Sequence, residues 1–517
     1  MKLVKNKAGR MVPVYIEGIG PIKPFNGVFD ADVEGRKYSP PKSKAVPSDK
    51  KLLGTISEAI EKTGLKDGMT ISFHHHLRNG DYVLMMAVNE IARMGIKDIT
   101  ICTSSLTNAH EGLIDHIKSG VISGIHTSGL RGSIAKEISA NGILMKPVVF
   151  RTHGGRARAI ESGDVKIDVA FIAASCCDDM GNMNGKMGKS AFGAMGYPMV
   201  DARYADKVVA ITDNLVPYPA YPISIPQTLV DYVVVVEEIG DPSFISAGAT
   251  RVTNNPVELQ IAEYASEVLI HSGLVRNGFS FQAGSGGASL AVVKYLRSYM
   301  KENNIVGSFA SGGITSYLVE LLEDGLFNVL LDAQTFDAKA AASFTKNQNH
   351  IEMSASMYAN PHNKGCVANK LDIMILSATE VDIDYNVNVI TGSTGVIMGA
   401  LGGHPDTAAG AKLTVVVAPL MRKRIPIIVD EVTTLVTPGE TVDVIVTERG
   451  IAVNPKNTEL LERLKQTNLP VMTIRELKDL AESFTGKPEK IVFGDKIVGI
   501  IEYRDGTIMD IIRNVLE

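Results

Sequence analysis

Tryptophan is absent from this 517-residue chain, cysteine occurs four times, and neither a long apolar run nor a block of like charge appears. The cysteines exclude most. Two are adjacent, Cys176 and Cys177, and none stands in a C-x-x-C pair, so their spacing builds neither a disulfide framework nor a zinc knuckle. Their neighbours Asp178 and Asp179 would raise a thiol's pKa, which argues against a nucleophilic role and for buried, structural thiols in a reducing compartment. No stretch reaches the ~18 consecutive apolar residues of a membrane span, and the opening MKLVKNKAGRMVPVYIEGIGP lacks the apolar core of a secretory signal. The expectation is a cytoplasmic protein with no membrane partner. A net charge of −5, with Arg422-Lys423-Arg424 as its densest basic stretch, gives no footprint for nucleic acid. The missing tryptophan excludes nothing.

What is present is the material of buried sheets: 45% hydrophobic residues over a length that calls for two or three cores. Residues 1–50, rich in Gly, Pro and Lys, read as an extended arm. From Lys51 strands and helices alternate at the spacing of parallel α/β architecture. The polar stretch SAGATRVTNNP has the composition of a link, and beyond it the plan begins again. The segment Gly68 to Phe73 lines up with Gly278 to Gln282, LIDHIKSG from Leu113 with LVELLEDG from Leu318, and KIDVAFI from Lys166 with KLDIMIL from Lys370. Runs GAMGYP at Gly193 and GALGGHP at Gly399 follow the last pair in each half. Collinear matches at a nearly constant offset imply a duplicated domain. The predicted organisation is an arm (1–50) and two similar, mostly parallel α/β domains (51–245 and 246–517) facing each other across a cleft. A hairpin is expected within Ile491 to Tyr503, turning at Gly494-Asp495-Lys496.

Ligands of parallel sheets sit beyond the carboxyl ends of the strands, which selects the loops there. Phe281 to Ser289, FQAGSGGAS, places three glycines between a strand and a helix, a shape that can hold an anion on main-chain N–H groups. It lacks the third glycine of a dinucleotide fingerprint and the Gly-Lys-Ser/Thr of a P-loop, and a plain turn is its alternative. Its twin, FHHHLRNGD, carries His74, His75 and His76. Consecutive residues point in different directions, so no metal is assigned to them, and a loop whose imidazoles and Arg78 meet carboxylates competes with an ordinary polar loop. RTHGGRAR, read as a loop after a strand, gathers Arg151, His153, Arg156 and Arg158 and would suit a polyanion, or is a solvated turn. GALGGHPD offers a second set of backbone donors, at Gly402 and Gly403, for a developing oxyanion. Asp168, Asp178 and Asp179 are explained by turn and cap roles.

On FQAGSGGASLAV, GALGGHPD and VTTLVTPGETVDVIVTERGIAV, the second half resembles the coenzyme A transferase superfamily. Over nearly the whole length, including GIGPIKPFNGVFDADVEGRKYSPP and SFHHHLRNGDYVL, the sequence is similar to the citrate lyase alpha-subunit family. The resemblance implies transfer of citrate onto an acyl-carrier thiol in exchange for acetate. It implies a coenzyme A-like thioester group borne by the carrier subunit, with acetyl-CoA as a surrogate, and no metal. Implied partners are a citryl lyase (beta) subunit and a gamma acyl carrier protein, around a homo-oligomer within a larger complex. It assigns Gln282, Gly284, Ser285, Gly286, Gly287 and Gly399 to the thioester arm and Gly402 and Gly403 to the oxyanion. Ser311 or Gly312 stands where many relatives carry a nucleophilic glutamate, and no acid follows until Glu320, so a ternary-complex route without an enzyme thioester is expected. His76, Arg78, Arg151 and Arg156 are the candidates for the citrate carboxylates. A citramalate-specific relative, and a CoA transferase or thioesterase on the same fold, are the alternatives.

Overall fold

The computed structural model describes residues 2–30, 38–246, 253–284 and 286–516; Ser285, most of the predicted link and part of the arm lie outside the described residues. Two large sheets organise the molecule. In the first half the repeated strands are β1 (Thr70–Phe73), β2 (Ile99–Thr103), β3 (Ile122–Thr127), β4 (Val148–Arg151), β5 (Val169–Ala174), β6 (Lys207–Thr212) and β7 (Tyr232–Val235). In the second they are β8 (Ser280–Ala283), β9 (Gly307–Ile314), β10 (Phe327–Thr335), β11 (His350–Glu352), β12 (Ile373–Ser377), β13 (Leu413–Val417) and β14 (Val444–Val446). Both sets run parallel in the same spatial order, 4-3-2-1-5-6-7.

The duplication extends to single hydrogen bonds. Val169 pairs with Ile71 in the first sheet as Ile373 pairs with Phe281 in the second. Asp168 accepts the Thr70 N–H at 2.8 Å and Asp372 the Ser280 N–H at 2.9 Å. Each carboxylate sits just before its strand and satisfies a backbone donor that the end of the ladder would leave unpaired. The two halves also exchange their glycine runs. Gly193 and Gly196 press on the end of β10, where an added Cβ would lie 2.0 Å from Thr335 Oγ1 and 2.2 Å from the Met353 carbonyl. Reciprocally, Leu401 N–H donates to the Ser128 carbonyl and Leu130 N–H to that of Gly399, strapping the second run to the end of β3. Each run packs on the equivalent strand of the other half, the internal counterpart of an isologous contact.

Two expectations are corrected. The closing hairpin is formed by β15 (Phe493–Glu502) and β16 (Ile508–Val515), and it turns at Arg504-Asp505-Gly506, with Gly506 at φ 93°. Gly494 to Lys496 instead fall in an irregularity of the ladder, where the register slips. The hairpin pairs with β4, so this part of the 246–517 segment completes the first sheet, not the second. The arm lies on it: Val12 and Ile16 pack with Ile500 and Ile508, and Asn6 donates to the Ile508 and Met509 carbonyls. RTHGGRAR, in turn, is no loop. Helix α1 (His153–Ser162) starts there, its first turn capped by the Thr152 hydroxyl, which accepts from Gly155 N–H at 2.8 Å. Its glycines serve close packing, since a Cβ on Gly154 would meet the Ala359 carbonyl at 2.0 Å.

Candidate active site

Between the halves lies a cavity of about 460 Å³. The first half contributes polar side chains from the carboxyl ends of its strands: His75 and Arg78 after β1, Ser104 and Ser105 after β2, Ser128 and Arg131 after β3, His153 after β4, and Tyr197. The second contributes mainly backbone and apolar surface: Gln282 to Gly284, Gly286, Gly312, Gly313, Phe336, Met374, Leu376 and Gly399 to Gly403, with Arg422 at the rim. Arginines are the only fully charged side chains on this wall; no carboxylate lines it among the described residues.

Arg78 is the candidate that the structure places there. Its guanidinium lies 4.7 Å from the Phe336 ring centroid, and its backbone takes φ 57°, a left-handed conformation unusual for a non-glycine residue. Burial, with Arg131 nearby, lowers its pKa to about 10. The other three cationic candidates turn away. Arg151 makes a two-pronged pair with Glu502, both contacts at 2.8 Å, and Arg156 another with Asp201, both at 2.7 Å. Both arginines are buried and already neutralised, so neither is free for a substrate. His76 is sealed against Phe192, ring centroids 4.0 Å apart, and burial lowers its pKa to about 3. Its neighbour His75 reaches the cavity instead.

The glycine donors divide as well. Gly402 takes φ 54°, and a Cβ on Gly403 would lie 2.4 Å from Tyr358 Oη. Neither residue's N–H finds an acceptor among the described residues, and both lie on the cavity wall. Gly286 is similarly open, while helix α2 (Gly287–Glu302) begins behind it with its first-turn donors unpaired among the described residues. Gly284, by contrast, donates to the Ile375 carbonyl at 2.8 Å and is committed to the sheet. Gly287 starts the helix and is not on the wall. Gly399 is on it, fixed by a close approach of 1.9 Å between its would-be Cβ and the Val389 carbonyl.

Gln282 is held by its own amide: Nε2 donates to Tyr358 Oη at 2.7 Å, and Oε1 accepts from Ser311 Oγ at 3.0 Å. Ser311 therefore points along this chain and not at the cavity. The adjacent Gly312 has φ 106°, and a Cβ there would fall 2.5 Å from Gln282 Nε2. Behind the second loop His404 is neutral, lowered to about 4 by burial; Nε2–H donates to the Ser377 carbonyl at 3.0 Å, and Nδ1 accepts from Thr437 Oγ1 at 2.6 Å. Ser104, Ser128, Arg131, Tyr197, Tyr358 and Arg422 escaped the sequence reading. The first three stand at strand ends, the position that selects ligand loops, but single polar residues carry no spacing signal there.

A family profile for the citrate lyase alpha subunit (CitF) matches residues 49–515. The chain belongs to this family. It is 52% identical over 478 residues to the citrate lyase alpha chain of Haemophilus influenzae, covering 92% of this chain and 95% of that one. It is 55% identical to a Streptococcus mutans protein described as a citrate lyase alpha subunit and crystallised with citrate; that match has a TM-score of 0.95 over 99% of this chain and 100% of the other. The 4-hydroxybutyrate CoA-transferase of Porphyromonas gingivalis shares the fold, with a TM-score of 0.55 at 17% identity over 84% of this chain and 96% of that one. The predicted duplicated, coenzyme A transferase-like fold is thus the fold observed, and the family is one of acyl-transferring enzymes. No described helix is long and apolar enough to cross a membrane.

Proposed function

We propose that the chain moves a citryl group onto the thiol of an acyl carrier in exchange for acetate, through a ternary complex. A citrate carboxylate attacks the carbonyl of the acetyl thioester, forming an acetyl–citryl anhydride and expelling the thiolate. The thiolate then attacks the citryl carbonyl and acetate leaves. A carboxylate enters and a carboxylate departs, so no net proton is transferred. The observation that carries this reading is the wall itself, where arginines stand with no carboxylate beside them on the wall among the described residues and the N–H groups of Gly402, Gly403 and Gly286 are open. Arg78, Arg131 and Arg422 suit a tricarboxylate better than a dicarboxylate such as citramalate. The backbone donors suit the oxyanions of both steps. Ser311 tied to Gln282, and Gly312 pressed against it, leave no place on β9 for a nucleophilic glutamate, in keeping with citrate supplying the carboxylate. The citrate-bound Streptococcus mutans relative supports the choice of acid. In this reading the thioester is the prosthetic arm of a carrier subunit, acetyl-CoA serves in its place, and a citryl lyase subunit consumes the product.

Incubation with acetyl-CoA should release acetate only when citrate is added, and neither borohydride nor hydroxylamine should trap an acidic residue of the chain. A stoichiometric adduct on the protein would overturn the ternary complex. Acetate release without citrate would make the chain a thioesterase.

A further inference from the structure

We infer that His75 is a catalytic hydrogen-bond donor that presents its Nε2–H to the acyl oxygens in the cavity, and that Ser104 and His74 are positioning residues that fix this tautomer. The inference rests on the acyl-transfer reading above and starts from one crowded hydroxyl. His74 Nδ1 and His75 Nδ1 each lie 2.6 Å from Ser104 Oγ. A hydroxyl has a single proton to donate, so one of the two imidazoles must itself donate to Ser104.

Were both imidazoles to donate, the buried Ser104 O–H would have no acceptor among the described residues; two arrangements remain, and they differ at the far edge of His74. His74 Nε2 is buried and has no partner, with its ring stacked on Tyr197 at 4.6 Å. If His74 carries its proton on Nδ1, that sealed nitrogen is a bare acceptor. If it carries the proton on Nε2, the protein buries an N–H with nothing to receive it. Orphaned buried N–H groups are rarer and less tolerable than under-used acceptors. The first arrangement therefore prevails: His74 Nδ1–H donates to Ser104, Ser104 O–H donates to His75 Nδ1, and the remaining proton of His75 sits on Nε2. His75 lines the cavity, and its Nε2, unlike that of His74, is not sealed.

Both rings stay uncharged. Burial is the largest influence on each, and the groups facing them are cationic or imidazole: His110, Arg78, His76 and Arg131 around His75, and His76, His75, Arg156 and His153 around His74. The chemistry needs a donor of this kind. An acid that gave up its proton would quench the thiolate required for the second step, whereas an N–H that keeps its proton stabilises each oxyanion and leaves the thiolate intact.

The test uses the full chain with nitrogen-15 in its histidine rings, His75→Gln supplying the assignment. Long-range nitrogen–proton spectra should show His75 protonated at Nε2, and Ser104→Ala should mix the two tautomers. In the exchange assay His75→Ala should lower kcat by about 10²–10³-fold with a much smaller change in citrate KM. His75→Gln, which retains an N–H donor, should recover part of that loss. An Nδ1–H tautomer in the wild-type protein, or an unchanged kcat in His75→Ala, overturns the inference. The tautomer is read without substrate, so an absence of citrate-dependent turnover would strike the transfer reading and leave the hydrogen-bond relay to be judged by its own signal.

Discussion

The loops after β1 and β8 occupy the same place in two copies of one domain, yet one reads HHHLR and the other AGSGG. The first loop and its neighbours supply side chains with fixed donors and charge; the second, with Gly399 to Gly403, supplies bare backbone. Duplication yields two equivalent sets of strand ends, and the cavity needs two different things from them. Side chains reach far and carry full charge, which suits recognition of a polyanionic acid. Backbone N–H groups cannot swing away and allow the closest approach, which suits an oxyanion that exists only in passing. If the labour is divided in this way, damage to the two halves should show in different measurements.

The largest effect is expected inside the first half, between arginines that look alike in sequence. Truncation of Arg156 in Arg156→Ala leaves the Asp201 carboxylate buried and unpaired, and should lower the unfolding free energy by about 3–5 kcal/mol. Arg78→Ala should leave stability nearly unmoved and raise citrate KM by roughly 10–100-fold, the worth of a lost charge-assisted hydrogen bond. Denaturant melts and steady-state kinetics on the two variants give a crossed pattern. An Arg156→Ala protein that stays folded with a raised citrate KM would place Arg156 back among the substrate contacts.

Next in size is a contrast between glycines of the two runs. Gly403→Ala puts a methyl 2.4 Å from Tyr358 Oη, which Gln282 holds in place, so the loop must shift and take its N–H groups with it. A kcat loss of about 10²–10³-fold is expected, as for removal of one oxyanion donor. Gly196→Ala creates a comparable clash against the Met353 carbonyl, but Gly196 does not line the cavity. It should lower Tm and spare the kcat of whatever folds. Equal kcat losses in both would mean that the runs act only as interdomain packing.

How far such a division could be read from sequence depends on whether a residue's partner is local. The repeat was legible because KIDVAFI and KLDIMIL keep both their strand pattern and the aspartate that caps the neighbouring strand, and the glycine runs were legible because close approach admits no other residue. The ion pairs of Arg151 and Arg156 were not legible because their partners, Glu502 and Asp201, lie 351 and 45 residues away and leave no local mark. Gly494-Asp495-Lys496 passed for a turn because a slipped ladder and a turn favour the same residues. Arg422 was weighed only as a nucleic-acid contact, and its place at the cavity rim depends on the fold of the whole second half.

The seam between the halves supplies the last and smallest expected effect, and it concerns pH. Asp406, in the helix His404–Gly410 of the second half, is fully buried and accepts from the Thr152 hydroxyl and the Gly154 N–H of the first, both at 2.8 Å. Burial raises its pKa to about 6, against the opposing pull of Arg504 and of those hydrogen bonds. Between the ordinary value of 3.8 and about 6 the folded protein therefore holds a proton that the unfolded chain releases. The stability this gives is fully present below the lower value and is lost as pH rises through the upper one, by on the order of 2–3 kcal/mol. Asp406→Asn, which cannot ionise, should escape the loss, so its stability relative to wild type should improve by that amount from acid to neutral pH. Unfolding free energies of both proteins across this range decide it. A difference independent of pH would mean that the carboxylate is ionised throughout, with Arg504, 3.4 Å away, as its true partner. The seam would then be an ion pair joining the halves and not a protonated hydrogen-bond clasp.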